Sequence, residues 1–316
     1  MNKQVFTDGQ ILNAEHLNNI ENKILNNSNK LNSQCIHMSF DDVTSTINAL
    51  ASGSLNSAWD NSFLAMLKEM HEKYGFVFSL YLQTKPSSVS TKYQKELGGE
   101  TANWLKWGLH SFNGGNYQNS SYEQGLADWE SMVDIIFKLT GSLEAIDRMP
   151  RLHQFYGSKN AITGMRDAKL GALGFLSADD ARTSYHFSEE NVTFLYEKNG
   201  MENDHISDYT NGLVFYRTDL RLDWFNGAGF SLVVAGTPYH TPSNTGDITA
   251  ELERRYSNKM FMNTWNCFVV FTHETQSHTA IKNALIKLGE FANSKNIPFD
   301  YPQNRVTHIC SGDIRI

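Results

Sequence analysis

The chain has 316 residues, room for two average domains or one large α/β domain, and 40% of them are hydrophobic, which excludes wholesale disorder. Lys and Arg number 27 against 34 Asp and Glu, a balance of −7 that argues against a nucleic-acid partner and against a polybasic membrane anchor. The three cysteines, Cys35, Cys267 and Cys310, lie far apart in or beside apolar runs and read as reduced and buried rather than as a disulfide framework. The polar N-terminus has no signal-peptide core, and no run of about 18 apolar residues marks a membrane span.

Residues 1–34 read as a separate helical segment. Leu17, Ile20, Ile24 and Leu31 follow a heptad seam, with Asn27 at one of its apolar positions. Two heptads are marginal alone, so residues 11–31 pack either on their own domain or on sister chains as a short oligomerising stalk.

Residues 35–316 read as one domain in which strands and helices alternate. Cys35–Asp41 is an apolar run ending in carboxylates, Ala58–Tyr74 a helix, and Phe76–Leu82 a strand. Thr91–Asn103 follows as a helix and Trp104–Phe112 as a strand. Tyr122–Leu139 is a long helix closed by Gly141, and Arg148–Tyr156 a strand then a loop. Ala161–Leu173 is a helix and Gly174–Ser177 a short strand. The β-rich middle has hairpin-like alternation at Val192–Glu197, Gly212–Thr218 and Leu220–Trp224, then an apolar run at Phe230–Ala235. Thr249–Met262 is a helix, Cys267–Thr272 a buried strand, Ser277–Asn293 a helix, and Val306–Cys310 a last strand.

Such alternation implies parallel strands joined by crossover helices, with reactive residues at the strands' C-terminal ends. Five polar clusters fall at such ends: Asp41-Asp42, His110-Ser111, His153, Asp179-Asp180 and His273-Glu274. Five on successive strands imply one pocket at the mouth of a barrel-like sheet. Side chains alternate along a strand, so Asp41 and Asp42 reach one site only if the chain turns after Asp41. One carboxylate could then bind a metal while the other acts as general base. Carboxylate and neutral imidazole together suit a catalytic metal with a position left for water. His273-Glu274 with His278 is not a zinc-protease motif, because histidines five apart do not share a helix face.

In order and spacing, these clusters resemble the motifs of the polysaccharide deacetylase family, the NodB-homology domain of carbohydrate esterases. Ser39-Phe40-Asp41-Asp42-Val43 is similar to its Thr-Phe-Asp-Asp-Gly motif, and His110-Ser111-Phe112-Asn113-Gly114 to His-Ser/Thr-x-x-His. His153-Gln154-Phe155-Tyr156-Gly157 is similar to Arg-Pro-Pro-Tyr-Gly, and Phe271-Thr272-His273 to Leu-x-His. Ala178-Asp179-Asp180 stands where the fourth motif is expected. The resemblance implies a distorted (β/α) barrel and a metal-dependent amide hydrolase acting on N-acetylated glycan. It implies Asp41 as general base, His273 as catalytic acid, and Asp42 and His110 as ligands of a divalent metal, zinc above all. Gly114 replaces the second metal histidine, and His153 at the third motif's Arg position is the expected substitute ligand. Arg151 would hold Asp41 ionised. Arg151, Tyr156, Asp179, Asp180 and Trp224 are the expected substrate contacts, with Trp107 and Tyr185 as further stacking candidates.

Residues 6–21, Phe-Thr-Asp-Gly-Gln-Ile-Leu-Asn-Ala-Glu-His-Leu-Asn-Asn-Ile-Glu, resemble the opening of phage tail-fibre and baseplate proteins. That resemblance implies a receptor-binding or glycan-active module attached to a phage particle, while the polar N-terminus leaves a cytoplasmic place open as well. Two other functions stay open: a degenerate glycan-binding or structural module of such a particle, and a glycoside hydrolase using Asp41 with Asp179 or Asp180.

Overall fold

The computed structural model describes residues 34–112, 114–179, 184–187, 205–208, 210–224, 248–257 and 267–309. The chain divides between Ser33 and Gln34, and every described residue belongs to the larger unit, Gln34–Ile316. The N-terminal segment, Val192–Glu197 and Phe230–Ala235 lie outside the described residues, as do Asp180 and Cys310.

The strands are β1 (Cys35–Val43), β2 (Phe78–Leu82), β3 (Leu105–Leu109), β4 (Gly174–Leu176), β5 (His205–Asp208), β6 (Leu213–Tyr216), β7 (Leu220–Arg221) and β8 (Cys267–His273). The helices are α1 (Ser45–Ser52), α2 (Ser62–Tyr74), α3 (Gln94–Leu97), α4 (Thr101–Trp104), α5 (Tyr122–Thr140), α6 (Lys159–Asp167), α7 (Ile248–Ser257), α8 (His278–Lys295) and α9 (Pro302–Ile309). The fold is mixed α/β. A five-stranded sheet runs β3-β2-β1-β8-β7 with every neighbour parallel, and a three-stranded sheet runs β4-β6-β5. In the second sheet β4 is parallel to β6, and β5 antiparallel.

Strand β1 shows why both faces of the larger sheet are buried. Ile36, Met38 and Phe40 alternate into the main core, which includes Phe63 and Leu67 of α2 and Ile281 and Leu285 of α8. The opposite face carries Cys35, His37, Ser39 and Asp41, all buried. A second apolar cluster joins Cys35, Tyr81, Cys267 and Val269 of the first sheet to Leu176, Val214 and Tyr216 of the second.

Backbone hydrogen bonds continue between the sheets. The N–H of Asp147 donates to the Trp107 carbonyl (2.7 Å) and that of His153 to the His110 carbonyl (2.9 Å). On its other side this segment receives the N–H groups of Leu173 at Arg148 (2.8 Å) and of Leu176 at Pro150 (2.9 Å). Residues 147–152 thus run beside β3 and β4 without forming a regular strand.

Several boundaries differ from the sequence expectation. The helix expected over Ala58–Tyr74 is a 3₁₀ turn, Ala58–Asp60, followed by α2, because Asn61 caps α2 by accepting the Leu64 N–H (3.0 Å). The helix expected over Thr91–Asn103 breaks into α3 and α4 at Gly98-Gly99, where a Cβ on Gly98 would lie 2.4 Å from the Thr140 carbonyl. Helix α6 stops at Asp167, with Ala168 extended and Leu170 at φ +61°. Strand β7 pairs with β8 in parallel rather than forming a hairpin, and Leu222–Trp224 is a 3₁₀ turn. Residues 302–309 form α9, not a strand, with Pro302 at the first helical position where its missing N–H costs nothing. No helix among the described residues is long and apolar enough to cross a membrane.

Candidate metal centre

The C-terminal ends of β1, β3 and β8, with the 147–155 segment, bring the candidate residues together. At the end of β1, Asp42 adopts φ +58°, and the β1–β2 register shifts between Phe40 and Val43. This bulge breaks the strand's alternation, so both carboxylates lie within electrostatic reach of His153 and His273.

Asp42, His110 and His153 each offer a ligand atom, and these atoms lie within 4.8 Å of one another. His110 is fixed from behind. Its Nδ1–H donates to the Arg151 carbonyl (2.6 Å), leaving Nε2 facing Asp42 Oδ1 at 3.3 Å. In the neutral ring that Nε2 carries a lone pair, so two acceptors confront each other. A second ring proton or a cation between them resolves the conflict. A tetrahedral ion with bonds of about 2.0–2.1 Å sets its ligand atoms roughly 3.3 Å apart, which the observed separation matches.

The His153 ring stands edge-on to His110, with centroids 5.3 Å apart. Burial, together with the positive field of His110, lowers the pKa of His153 against the pull of Asp42, the Gly115 carbonyl and Asp41. That favours the neutral, ligating form. Burial works to raise the Asp42 pKa, but the hydrogen bond and charge of His110, with His273 and His153, outweigh it and lower it. Gly114 sits in a left-handed turn (φ +67°) with open space where a side chain would begin, and supplies no ligand.

Asp41 is held differently. Arg151 Nη1 donates to Asp41 Oδ1 (2.9 Å) and to Ser39 Oγ (3.1 Å). Its Nε and Nη2 donate to Thr218 Oγ1 (3.3 and 3.1 Å), and that hydroxyl donates to the Ser177 carbonyl (2.6 Å). The guanidinium also lies 4.1 Å from the Phe271 ring centroid. Arg151 is fully buried, and its fork is engaged by Asp41, Ser39 and Thr218.

His273 donates from Nδ1 to Asp223, whose other oxygen takes the Thr272 hydroxyl. Burial works to lower the His273 pKa, but the Asp223 hydrogen bond and the charges of Asp223, Asp41 and Asp42 outweigh it and raise it. The carboxylate beside His273 is Asp223, whereas Asp179 is buried in a two-point ion pair with Arg221 (2.7 and 3.1 Å). Glu274 is buried as well, and accepts backbone N–H groups at the start of α1.

Tyr156 is half-buried at the end of the 3₁₀ turn His153–Phe155. Trp107 and Tyr185 are core residues rather than sugar platforms, and the Tyr185 hydroxyl donates to the Leu176 carbonyl (2.7 Å). The Trp224 side chain and Asp180 lie outside the described residues.

Asp223 and Thr218 escaped the sequence reading. Their signal is the run Arg217-Thr218-Asp219-Leu220-Arg221-Leu222-Asp223, where charges alternate with other residues in a buried stretch. Buried charges need partners: Arg217 meets Asp219, Arg221 meets Asp179, and Asp223 meets His273. Comparison with protein-family models and with curated proteins gives no match for this chain.

Proposed function

We propose that the chain is a metal-dependent hydrolase, resembling polysaccharide deacetylases, that removes acetyl groups from N-acetylated glycan. The observation that carries the reading is the His110–Asp42 pair: an imidazole held through Nδ1 sets its Nε2 3.3 Å from a carboxylate oxygen, with His153 alongside. The inter-sheet hydrogen bonds through residues 147–152, and the parallel pairing of β7 with β8, support a distorted (β/α) barrel with this cluster at its mouth.

In this reading Asp42, His110 and His153 hold the divalent ion, and the nitrogen and oxygen donor set suits zinc. The ion would polarise the acetyl carbonyl and lower the pKa of its water to about 7. Asp41 takes the proton of the attacking water, and Arg151 holds the carboxylate in line. His273, kept protonated by Asp223, gives a proton to the departing amine as the C–N bond breaks, leaving acetate and a free amine. Tyr156 and Trp224 remain candidates for the sugar. The opening segment supports carriage on a phage particle, with residues 11–31 as an oligomerising contact.

Elemental analysis of the wild type and of Asp42→Ala, with acetate release from an N-acetylglucosamine oligomer, tests the reading. About one ion per chain, lost in the variant, and acetate from the wild type alone are the expected results. Gly114, where the family has a histidine, favours a second reading, a catalytically silent glycan-binding or structural module. Glycan binding without metal or acetate release would select it. Acetate release is also distinct from the new reducing end that a glycoside hydrolase makes, and the Asp179–Arg221 ion pair weighs against that chemistry.

A further inference from the structure

We propose that Glu274 is a positioning residue that holds Asp42 in its ligating conformation; the inference rests on the metal site proposed above. Asp42 is a non-glycine residue with φ +58°, a conformation that persists only where its surroundings over-determine it. Glu274 brackets that turn from both sides. Its backbone N–H donates to the Asp41 carbonyl (3.0 Å). Its carboxylate accepts Thr44 N–H (2.7 Å) and Ser45 N–H (2.9 Å) on one oxygen and Thr46 N–H (2.7 Å) on the other.

The residues immediately before and after the Asp42–Val43 bulge are thus tied to one residue, Asp41 through its backbone N–H and Thr44–Thr46 through its carboxylate. No side chain caps α1 locally, and Thr44 at the cap position makes no such bond. Glu274 supplies the missing cap from the turn just after β8, 228 to 230 positions away in sequence. An ionised carboxylate has acceptor capacity for three donors, whereas an amide presents one oxygen and a competing NH₂. Glu274 is buried and fully engaged, so proton transfer to substrate is not what its place offers.

The test is Glu274→Gln in the full chain, with two readouts. In metal-free protein, amide hydrogen exchange at Asp42 and Thr44–Thr46 should quicken while exchange in β2 and β3 is unchanged. In cobalt titrations the variant should bind roughly 10–100-fold more weakly, the usual cost of losing support behind a ligand, with an altered visible spectrum. An unchanged spectrum and affinity in the variant would overturn the inference. If the wild type binds no cobalt, the metal reading fails and exchange alone decides: unchanged rates at Asp42 refute the positioning role, and faster rates sustain it. Glu274→Asp, which keeps the charge, should recover part of the lost affinity, whereas an effect of side-chain volume alone would leave it as weak as the amide.

Discussion

Asp41 and Asp42 are neighbours in sequence, yet their surroundings are opposites. Asp41 lies in a closed half of the site, where a fully buried guanidinium is itself satisfied by Ser39 and Thr218. Asp42 lies in an open half, facing two imidazoles, one of which has its other nitrogen tied to a carbonyl. The closed half is complete within the protein. The open half reaches electrostatic balance only with an added proton or cation. One strand end thus provides a carboxylate held in a buried ion pair and another that faces imidazoles.

The largest effects should come from exchanging the two roles. Asp41→Asn should leave metal content intact and cut turnover by about 10²–10⁴-fold, the usual range for a lost general base. Asp42→Asn should lose metal and turnover together, and steady-state kinetics alongside elemental analysis separates the two. Next in size, Arg151→Met leaves the Asp41 charge buried without its partner. It should cost about 3–5 kcal/mol of stability in urea unfolding. Asp42→Asn should cost far less in metal-free protein, since it removes a half-buried group.

A smaller effect concerns pH. The raised His273 pKa keeps the ring protonated to higher pH, so an acid in that role loses activity as pH climbs through the raised value. Asp223→Asn removes the main raising influence and should move the alkaline limb of kcat/KM to lower pH. A limb that stays in place would detach Asp223 from the chemistry.

A second pH effect lies beneath the closed half. Burial, and then the charge of Arg151, lower the His37 pKa from 6.5 to about 3. Between those values the unfolded chain takes up a proton that the folded chain refuses, so stability falls as pH falls. The slope should approach about 1.4 kcal/mol per pH unit for one group. His37→Gln should flatten it in urea titrations across that range.

What the sequence made legible follows from these arrangements. Alternation exposed β1, β2, β3 and β8, and four of the central side chains (Asp42, His110, His153 and His273) were visible because each follows an apolar strand or extended run. The Asp42–His110–His153 grouping could be named because Gly114 broke a motif and His153 stood close by. Helix α1 was missed because its cap comes from Glu274, far along the chain. Asp223 was missed because Leu220–Trp224 reads as strand, whereas the chain turns after Arg221. Asp179 looked available because its partner, Arg221, is 42 residues away. Local pattern reveals which residues reach the strand ends; which of them are already paired is decided by long-range contacts.

The register of β1 and β8 carries a consequence for motion. Asp41 and His273 are partners in one unbroken parallel ladder that begins at Cys35 and Cys267. The two residues proposed as base and acid therefore travel as one rigid body, their separation preserved through any breathing of the domain. His153 rides instead on a turn with two successive residues, Gln154 and Phe155, at positive φ and no regular strand beneath it.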